Sequence, residues 1–295
     1  MTTGSRIMRP RKIYAFLALP ILAYSFVVVA PILVTVYFSL MDGLGIISAP
    51  TFVGLTHYEA IMNDSNFWLS VRNSLFMAGM MLFGQVFIAL IFSLLFTTNF
   101  IRLKGFYRTV MFFPAVVAPL VIGLIWQMIY NHTYGLLNAL LRFVGLEHMI
   151  RLWLGDSSIV LLMVCIPMMW QFVGFYMVIL SSAIAAIPPD ILEAAQIDGA
   201  TDFQRVKFIS FPLIYDTLKL CVMICIAGTF RAFDLVMGMT NGGPGRSSTT
   251  IALYNYVAVF EMNRLNYACA ISVFILLISM FLTLGSRFLM GAAKR

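Results

Sequence analysis

The chain has 295 residues, of which 61% are hydrophobic and 11% charged, with a mean hydropathy of +0.95 and a formal net charge of +7. Soluble domains carry about 25% charged residues, so this composition indicates a chain that is embedded in a bilayer. The basic residues lie mainly in tails and short connections, without a basic stripe or a nucleic-acid-binding motif, and nucleic acid is therefore excluded as the expected partner.

Six apolar segments recur along the chain, and a helix needs about 20 residues to cross a hydrocarbon core of ~30 Å. The predicted spans are residues 14–40, 74–96, 109–130, 159–183, 212–232 and 267–288. Basic residues precede the first span, as in a signal peptide. Its apolar run is longer than the ~7–15 residues of a signal core, and Pro31 follows the only small-residue site at Ala30, so we expect an uncleaved helix.

The sequence thus predicts an all-α, polytopic membrane protein with six transmembrane helices. We divide it into an N-terminal tail (1–13), a transmembrane domain (14–288) and a C-terminal tail (289–295). Twelve Lys and Arg residues lie in the two tails, in connections 97–108 and 184–211 and at Arg287 at the end of the sixth span, against five in connections 41–73, 131–158 and 233–266. By the positive-inside rule both termini are expected to be cytoplasmic.

The connection after the fourth span has the pattern of a helix, a sharp turn and a second short helix. Pro189 suits a first helical turn, where its missing N–H leaves no bond unmade. Gly199 can adopt the left-handed conformation that ends a helix. Thr201 and Gln204 form a capping-box pattern for the helix that follows.

The same connection carries a recognisable motif. Glu-Ala-Ala begins at Glu193, Asp-Gly-Ala at Asp198 and Ile-Ser-Phe-Pro at Ile209. This segment, residues 186–212, resembles the EAA loop of the permeases of binding-protein-dependent ABC importers, with Phe211 where that family has Leu. The spacing of all three parts and the position between two spans make the resemblance specific.

Further motifs narrow the resemblance to the maltose-type sugar permeases. Thr240-Asn241-Gly242-Gly243-Pro244 is similar to a Thr-x-Gly-Gly-Pro segment of those proteins. Phe-Val-Gly-Leu at residues 52–55, Tyr-Arg-Thr at 107–109 and Gly-Leu-Leu-Asn at 135–138 also fit their pattern. The resemblance therefore extends over nearly the whole chain after residue 13.

The resemblance implies a type I ABC importer permease fold in a prokaryotic inner or plasma membrane. It implies one half of the pathway for a sugar or oligosaccharide, with a second permease subunit, two ATPase subunits, an extracytoplasmic solute-binding protein and membrane lipid as partners. ATP and Mg would be bound by the ATPase subunits, with no cofactor in this chain. The residues implied in coupling to the ATPase are Glu193, Ala194, Ala195, Asp198, Gly199 and Ala200, and those implied in contact with the binding protein are Asn241, Gly242, Gly243 and Pro244.

Aromatic, amide and charged side chains inside the spans are candidates for the solute pathway, because sugars stack their C–H faces on rings and hydrogen-bond through their hydroxyls. The candidates are Trp126, Gln127, Tyr130, Trp170, Tyr176, Arg231 and Asp234. Aromatic rings are also common at membrane interfaces for reasons of lipid contact, and for Arg231 an anchoring role at the end of the fifth span is favoured over a place on a polar path. Asp216 with Lys219, and Arg231 with Asp234, are each expected on one face of that span.

Other classes of function fit less well. The glycines at 242–245 lack the lysine of a phosphate-binding loop, and no Gly-Lys dipeptide occurs in the chain, so ATP hydrolysis is not expected from it. Four scattered cysteines and three scattered histidines suggest neither a disulfide nor a metal site. A secondary transporter would need charged groups in mid-membrane, and a membrane enzyme a catalytic constellation. An importer of another solute, such as glycerol phosphate or a polyamine, remains the main alternative.

Overall fold

The computed structural model describes residues 10–43, 50–96 and 103–292, with side chains described from residue 17 to residue 290. Most of the predicted N-terminal tail, the last residues of the C-terminal tail and Arg102 lie outside the described residues. In the described part the chain is helical, apart from connections and one two-residue strand pair.

The bounds are as follows, in chain order. The first half contains α1 (Pro10–Tyr24), α2 (Ala30–Ser39), strands β1 (Met41–Asp42) and β2 (Thr51–Phe52), α3 (Thr56–Met62), α4 (Ser65–Met81), α5 (Ile88–Leu95), α6 (Lys104–Phe112), α7 (Pro119–Ile129) and α8 (Leu136–Phe143). The second half contains α9 (Val160–Ala185), α10 (Pro189–Ile197), α11 (Asp202–Arg205), α12 (Phe211–Thr229), α13 (Asp234–Thr240), α14 (Ile251–Phe260) and α15 (Leu265–Ala292). Single π-turns at Ser25–Val29, Leu82–Phe87 and Val206–Ser210 join α1 to α2, α4 to α5 and α11 to α12.

Five continuous helices in the described residues are long and apolar enough to cross a membrane: Leu17–Ser39, Ser65–Leu95, Val160–Ala185, Asp202–Thr229 and Leu265–Met290. They confirm the first, second, fourth, fifth and sixth predicted spans as helices. The second begins nine residues earlier than predicted, because the Asp64 side chain accepts hydrogen bonds from the backbone N–H groups of Asn66 and Phe67 and caps the helix there.

The third predicted span, 109–130, is wrong as a continuous helix. Lys104–Val116 and Pro119–Ile129 meet at an angle of 98°. The cause is Pro119, because the residue before a proline is sterically driven out of the α region. Ala118 accordingly has ψ 131° and Val117 ψ 138°. The two pieces together account for a sixth, broken span.

The fifth span also differs from its prediction. It begins at Asp202 rather than Pro212 and ends at Thr229 rather than Ala232. Pro212 would clash with the carbonyl group four residues before it in a regular helix. The π-turn immediately before it, in which Phe211 N–H donates to Val206 O, absorbs this conflict and keeps the helix continuous.

By its internal contacts the chain divides into two units, residues 1–63 with 258–274, and residues 64–257 with 275–295. In the first unit, β1 and β2 pair in antiparallel register, Met41 opposite Phe52. Ser39 and Tyr58 share a hydrogen bond of 2.8 Å, and the Asn266 amide donates to Phe38 O at 3.1 Å. In the most apolar part of the helix Leu17–Ser39, no residue is buried within the described chain, as expected of a helix that faces lipid or another subunit.

In the second unit α9 is the central helix, since α4, α5, α6 and α12 all pack against it. Polar side chains tie these helices together: the Gln85 amide donates to Met168 O at 2.9 Å, and the Ser93 hydroxyl donates to Met177 O at 3.1 Å. Such interhelical hydrogen bonds are the usual means of holding membrane helices together, because lipid provides no hydrophobic drive for their association.

The two short helices α7 and α13 pack closely on each other within the same unit. A Cβ atom on Gly123 would lie 2.7 Å from Leu235 O, and one on Gly238 would lie 2.9 Å from Leu120 O. The two glycines therefore allow the backbones to touch. The second helix of the broken third span, α7, and the short helix after the fifth span, α13, therefore form one packed pair.

Candidate functional site

The loop with the Glu-Ala-Ala motif forms the helix-turn-helix that the sequence predicts. Helix α10 begins with Pro189 in its first turn and ends at Ile197. Gly199 has φ +81°, Gly199 N–H donates to Gln196 O at 3.1 Å, and Ala200 N–H donates to Ala195 O at 2.9 Å. These two bonds make a Schellman motif.

The predicted capping box is also present. The Thr201 hydroxyl accepts from Gln204 N–H at 3.3 Å, and the Gln204 side chain accepts from Thr201 N–H at 2.8 Å. The helix that follows is not short, however, because α11 continues through the π-turn into α12 as one helix of 28 residues. The turn at Gly199 is thus attached directly to a membrane span.

The surface of α10 is open. Glu193, Ala194, Asp198 and Gly199 are exposed, and Ala195 and Ala200 are partly so. A Cβ atom on Gly199 would meet nothing within 4 Å. These residues form a surface that no described part of the chain covers.

Three residues near this surface were not singled out from the sequence. Ile197 and Phe203 are apolar yet 86% and 71% exposed. Arg205 forms an ion pair with Asp202 and donates to the Gln196 side chain at 3.3 Å, which fastens α10 to α11. The position of Arg205, one helical turn after Thr201, could have been recognised in the sequence. The exposure of Ile197 and Phe203 could not have been predicted from it.

The Gly-Gly-Pro segment is a tightly bonded turn. The Ser248 hydroxyl donates to Gly243 O at 2.7 Å, and Thr240 and Ser248 share a hydrogen bond of 2.8 Å. The buried amide of Asn73 donates to the carbonyl groups of Ser247 and Thr249, both at 3.0 Å. This role of Asn73 could not be predicted from the sequence, because the residue lies more than 170 positions away from the segment to which it is hydrogen-bonded.

The four residues predicted to contact a binding protein differ in their accessibility. Gly242 is buried, Gly243 and Pro244 are half-buried, and Asn241 is exposed. Gly242 packs so closely that a Cβ atom there would lie 2.5 Å from the Thr249 hydroxyl. The segment therefore has an internal structural role, and Asn241 offers the most accessible surface of the four.

The predicted pathway residues separate into two groups. Trp126 contacts Tyr130 and Trp170, with ring centroids 5.2 and 6.0 Å apart. Tyr130 and Gln127 line a cavity of about 530 Å³, called the outer cavity here, whose other lining residues are Asn131, His132, Leu152, Trp153, Leu154, Gly155, Met237, Met239, Thr240, Asn241, Gly243 and Pro244. Trp153 donates to Asn138 at 2.7 Å, which holds its ring in place.

Tyr176 and Arg231 line a second cavity, of about 430 Å³, called the inner cavity here. Its other lining residues are Gln85, Phe112, Ala115, Met168, Phe172, Phe175, Ile224, Cys225, Gly228 and Thr229. The cavity lies where the regular helices are interrupted, next to the π-turn Leu82–Phe87, the 3₁₀ turn Phe113–Val116 and the end of α12. Discontinuous helices are typical of solute sites in transporters, because the freed backbone groups line a cavity there.

The predicted pairing of Arg231 with Asp234 on one helical face is wrong. Helix α12 ends at Thr229, and Asp234 begins α13, so the two residues belong to different elements. Asp234 lines neither cavity. The other predicted pair is confirmed, since Lys219 donates to Asp216 at 3.0 Å within α12. Among the residues that the structure describes, no group of three or more His, Cys, Asp or Glu side chains could hold a metal ion.

The fold and this site define a class of protein: a polytopic helical permease with an open helix-turn-helix connection between two of its spans. Residues 85–295 match the family described as binding-protein-dependent transport system inner membrane component. The chain belongs to this family and is a membrane permease subunit of an ABC transporter.

The relatives extend over almost the entire chain. The probable ABC transporter permease protein YurN of Bacillus subtilis (strain 168) is 34% identical over 92% of this chain and 93% of its own length. The trehalose/maltose transport system permease protein MalF of Thermococcus litoralis is 28% identical over 92% of each chain. The crystal structure of a bacterial ABC transporter involved in the import of the acidic polysaccharide alginate contains a chain of the same fold, with a TM-score of 0.82, 19% identity and 98% of each chain covered.

Proposed function

We propose that this chain is one of two membrane-spanning subunits of an ATP-driven importer of sugars or oligosaccharides, with both termini in the cytoplasm. The observation that carries the proposal is α10, a helix with an uncovered face that is joined to two membrane helices. A separate ATPase subunit would bind this face, chiefly at Glu193, Ala194, Ala195, Asp198, Gly199 and Ala200. ATP and Mg would be held by the two ATPase subunits.

The connections of α10 support a coupling role. Helix α9 precedes it and α11–α12 follows it, and both α9 and α12 supply walls of the inner cavity, for example Tyr176 and Cys225. The helix Asp202–Thr229 has 28 residues and is about 42 Å long at ~1.5 Å per residue. A displacement of α10 would therefore move α9 and α12, which form two walls of the inner cavity, at the same time.

A saccharide is supported by the chemistry of the two cavities. Phe172, Phe175 and Tyr176 provide rings in the inner cavity, and Tyr130 and Trp153 provide rings in the outer cavity. Amide groups of Gln127 and Asn131 line the outer cavity as well. Aromatic rings can stack on the C–H faces of a sugar, and neighbouring amide groups can form hydrogen bonds with its hydroxyl groups. A binding protein is proposed to deliver the solute near Asn241, and the second permease subunit to complete the pathway.

The first test concerns partners. We expect the chain to co-purify with a second permease subunit and two copies of an ATPase, and to hydrolyse no ATP by itself, because neither nucleotide-binding motif nor metal cluster is found in its sequence or described structure. The measurement is phosphate release by the isolated chain and by the complex, with the same amount of detergent. Hydrolysis by the isolated chain at the rate of the complex would overturn the proposal.

The second test concerns orientation. Ile197 and Ser157 are both exposed in the structure, so a cysteine at either position would be reachable from its own side of the membrane. In a chain whose four native cysteines are replaced by alanine, an impermeant maleimide should label Ser157→Cys in intact cells and Ile197→Cys only after permeabilisation. Labelling in the opposite order would place the termini outside.

A further inference from the structure

Of the described residues that line the inner cavity, Arg231 alone has a charged side chain. The rest of the lining is apolar or neutral, and it includes four aromatic rings, those of Phe112, Phe172, Phe175 and Tyr176. A guanidinium group stays protonated in proteins, so it brings a permanent positive charge into an otherwise uncharged cavity. Arg231 is exposed, so its guanidinium is accessible to a solute that enters this cavity.

No carboxylate in the described structure neutralises this charge. Arg205 pairs with Asp202 and Lys219 pairs with Asp216, and neither of these ion pairs includes Arg231. The Nε of Arg231 donates to Ala227 O at 3.4 Å, a long bond within its own segment. Lys219 lies on the same helix as the cavity wall but has its own carboxylate partner, whereas no ion pair of Arg231 is found among the residues that the structure describes.

We infer that the imported solute carries an anionic group, which Arg231 recognises in the inner cavity. This inference rests on the proposed function and specifies its substrate class: an acidic saccharide with a carboxylate, or a saccharide phosphate. Both anions accept the paired N–H donors of a guanidinium in a bidentate arrangement. The rings of Phe172 and Tyr176 line the same cavity and would contact the apolar face of the sugar.

The test uses the complete importer, with its binding protein, in proteoliposomes. Three labelled solutes are compared: trigalacturonate, glucose 1-phosphate and the neutral trisaccharide maltotriose. We expect ATP-dependent uptake of an anionic solute by the wild-type protein. Arg231→Gln should lower that uptake about tenfold or more, and Arg231→Lys should retain a substantial part of it, because it keeps the charge but loses the bidentate geometry. Uptake of trigalacturonate alone indicates a carboxylate, and uptake of glucose 1-phosphate alone indicates a phosphate ester.

Two controls separate the role of Arg231 from general damage. Lys219→Gln removes a positive charge from α12 outside the cavity and should leave uptake unchanged. The affinity of the binding protein for each solute is measured without the membrane complex. It should be the same in the experiments with the wild-type chain and with each variant, because the binding protein itself is unchanged.

Three other outcomes would contradict the inference or the proposed function. Uptake of maltotriose that is equal in the wild-type protein and in Arg231→Gln, without uptake of either anion, would overturn the anionic substrate and leave the proposed sugar importer intact. Equal loss of all uptake in Arg231→Gln and Arg231→Lys would make Arg231 a structural residue and overturn the inference. No ATP-dependent uptake of any of the three solutes would overturn the proposed function itself.

Discussion

Gly199→Val should uncouple ATP hydrolysis from transport. Gly199 has φ +81°, and an L-residue in the left-handed region costs roughly 1–2 kcal/mol. If an ATPase subunit covers the open face of α10, the added side chain also overpacks that contact, at a typical cost of ~1–3 kcal/mol. Since each 1.4 kcal/mol is about a factor of ten in affinity, this overpacking should weaken docking by roughly fivefold to a hundredfold. Uptake and ATP hydrolysis in proteoliposomes, measured side by side, give the coupling ratio.

The chain offers a matched control in Gly145. It ends α8 with φ +76°, in a turn with the same two hydrogen bonds, from Gly145 N–H to Arg142 O and from Leu146 N–H to Leu141 O. A Cβ atom on either glycine would meet nothing within 4 Å. Gly145→Val carries the same backbone cost but lies outside α10, so its coupling ratio should stay near the wild-type value. Equal ratios for both variants would mean that the EAA loop is only a connector.

Glu193→Lys tests the same surface through its charge. Glu193 is exposed at the middle of α10, so a substitution there changes the charge of the uncovered face. Reversal of the charge should lower the coupling ratio, while solute binding to the separate binding protein stays unchanged. A wild-type transport rate in this variant would exclude Glu193 from the contact with the ATPase.

Gly174→Ala should prevent the second unit from forming its native packing. A Cβ atom at Gly174 would lie 1.9 Å from Met111 O and 2.3 Å from Met111 C. Both atoms belong to the backbone of α6, so no side-chain rotation can relieve the overlap, and α6 must move away from the central helix α9. Overpacking costs ~1–3 kcal/mol in ordinary cores, and a backbone contact this close should lie at or above the upper end, about 3 kcal/mol.

The measurement is the fraction of monodisperse complex after purification, together with the midpoint of thermal unfolding in detergent. Gly79→Ala is the control, since Gly79 lies within α4 and a Cβ atom there would meet nothing within 4 Å. Alanine is favoured over glycine within a helix by roughly 0.5–1 kcal/mol, so this variant should be as stable as the wild-type protein or slightly more so. If the two variants behave alike, α6 and α9 are farther apart than the structure has them.

Features that depend on local interactions could be predicted from the sequence. Long apolar runs predicted six spans, five of which are continuous helices in the structure, because the bilayer fixes how many residues a helix needs. Pro189, Gly199 and the Thr201–Gln204 pair predicted the turn around α10, since capping involves residues only three to five positions apart. The motif between those residues was enough to predict the family.

Features that depend on contacts between distant segments required the structure. It showed that the third span breaks at Ala118, and that helix α7, which follows the break, packs against α13. It placed Arg231 beyond the end of α12 and in the inner cavity, away from Asp234. It also brought Asn73 to the carbonyl groups of Ser247 and Thr249. Contacts between residues so far apart in the chain depend on how helices pack, and the periodicity of one segment carries no information about them.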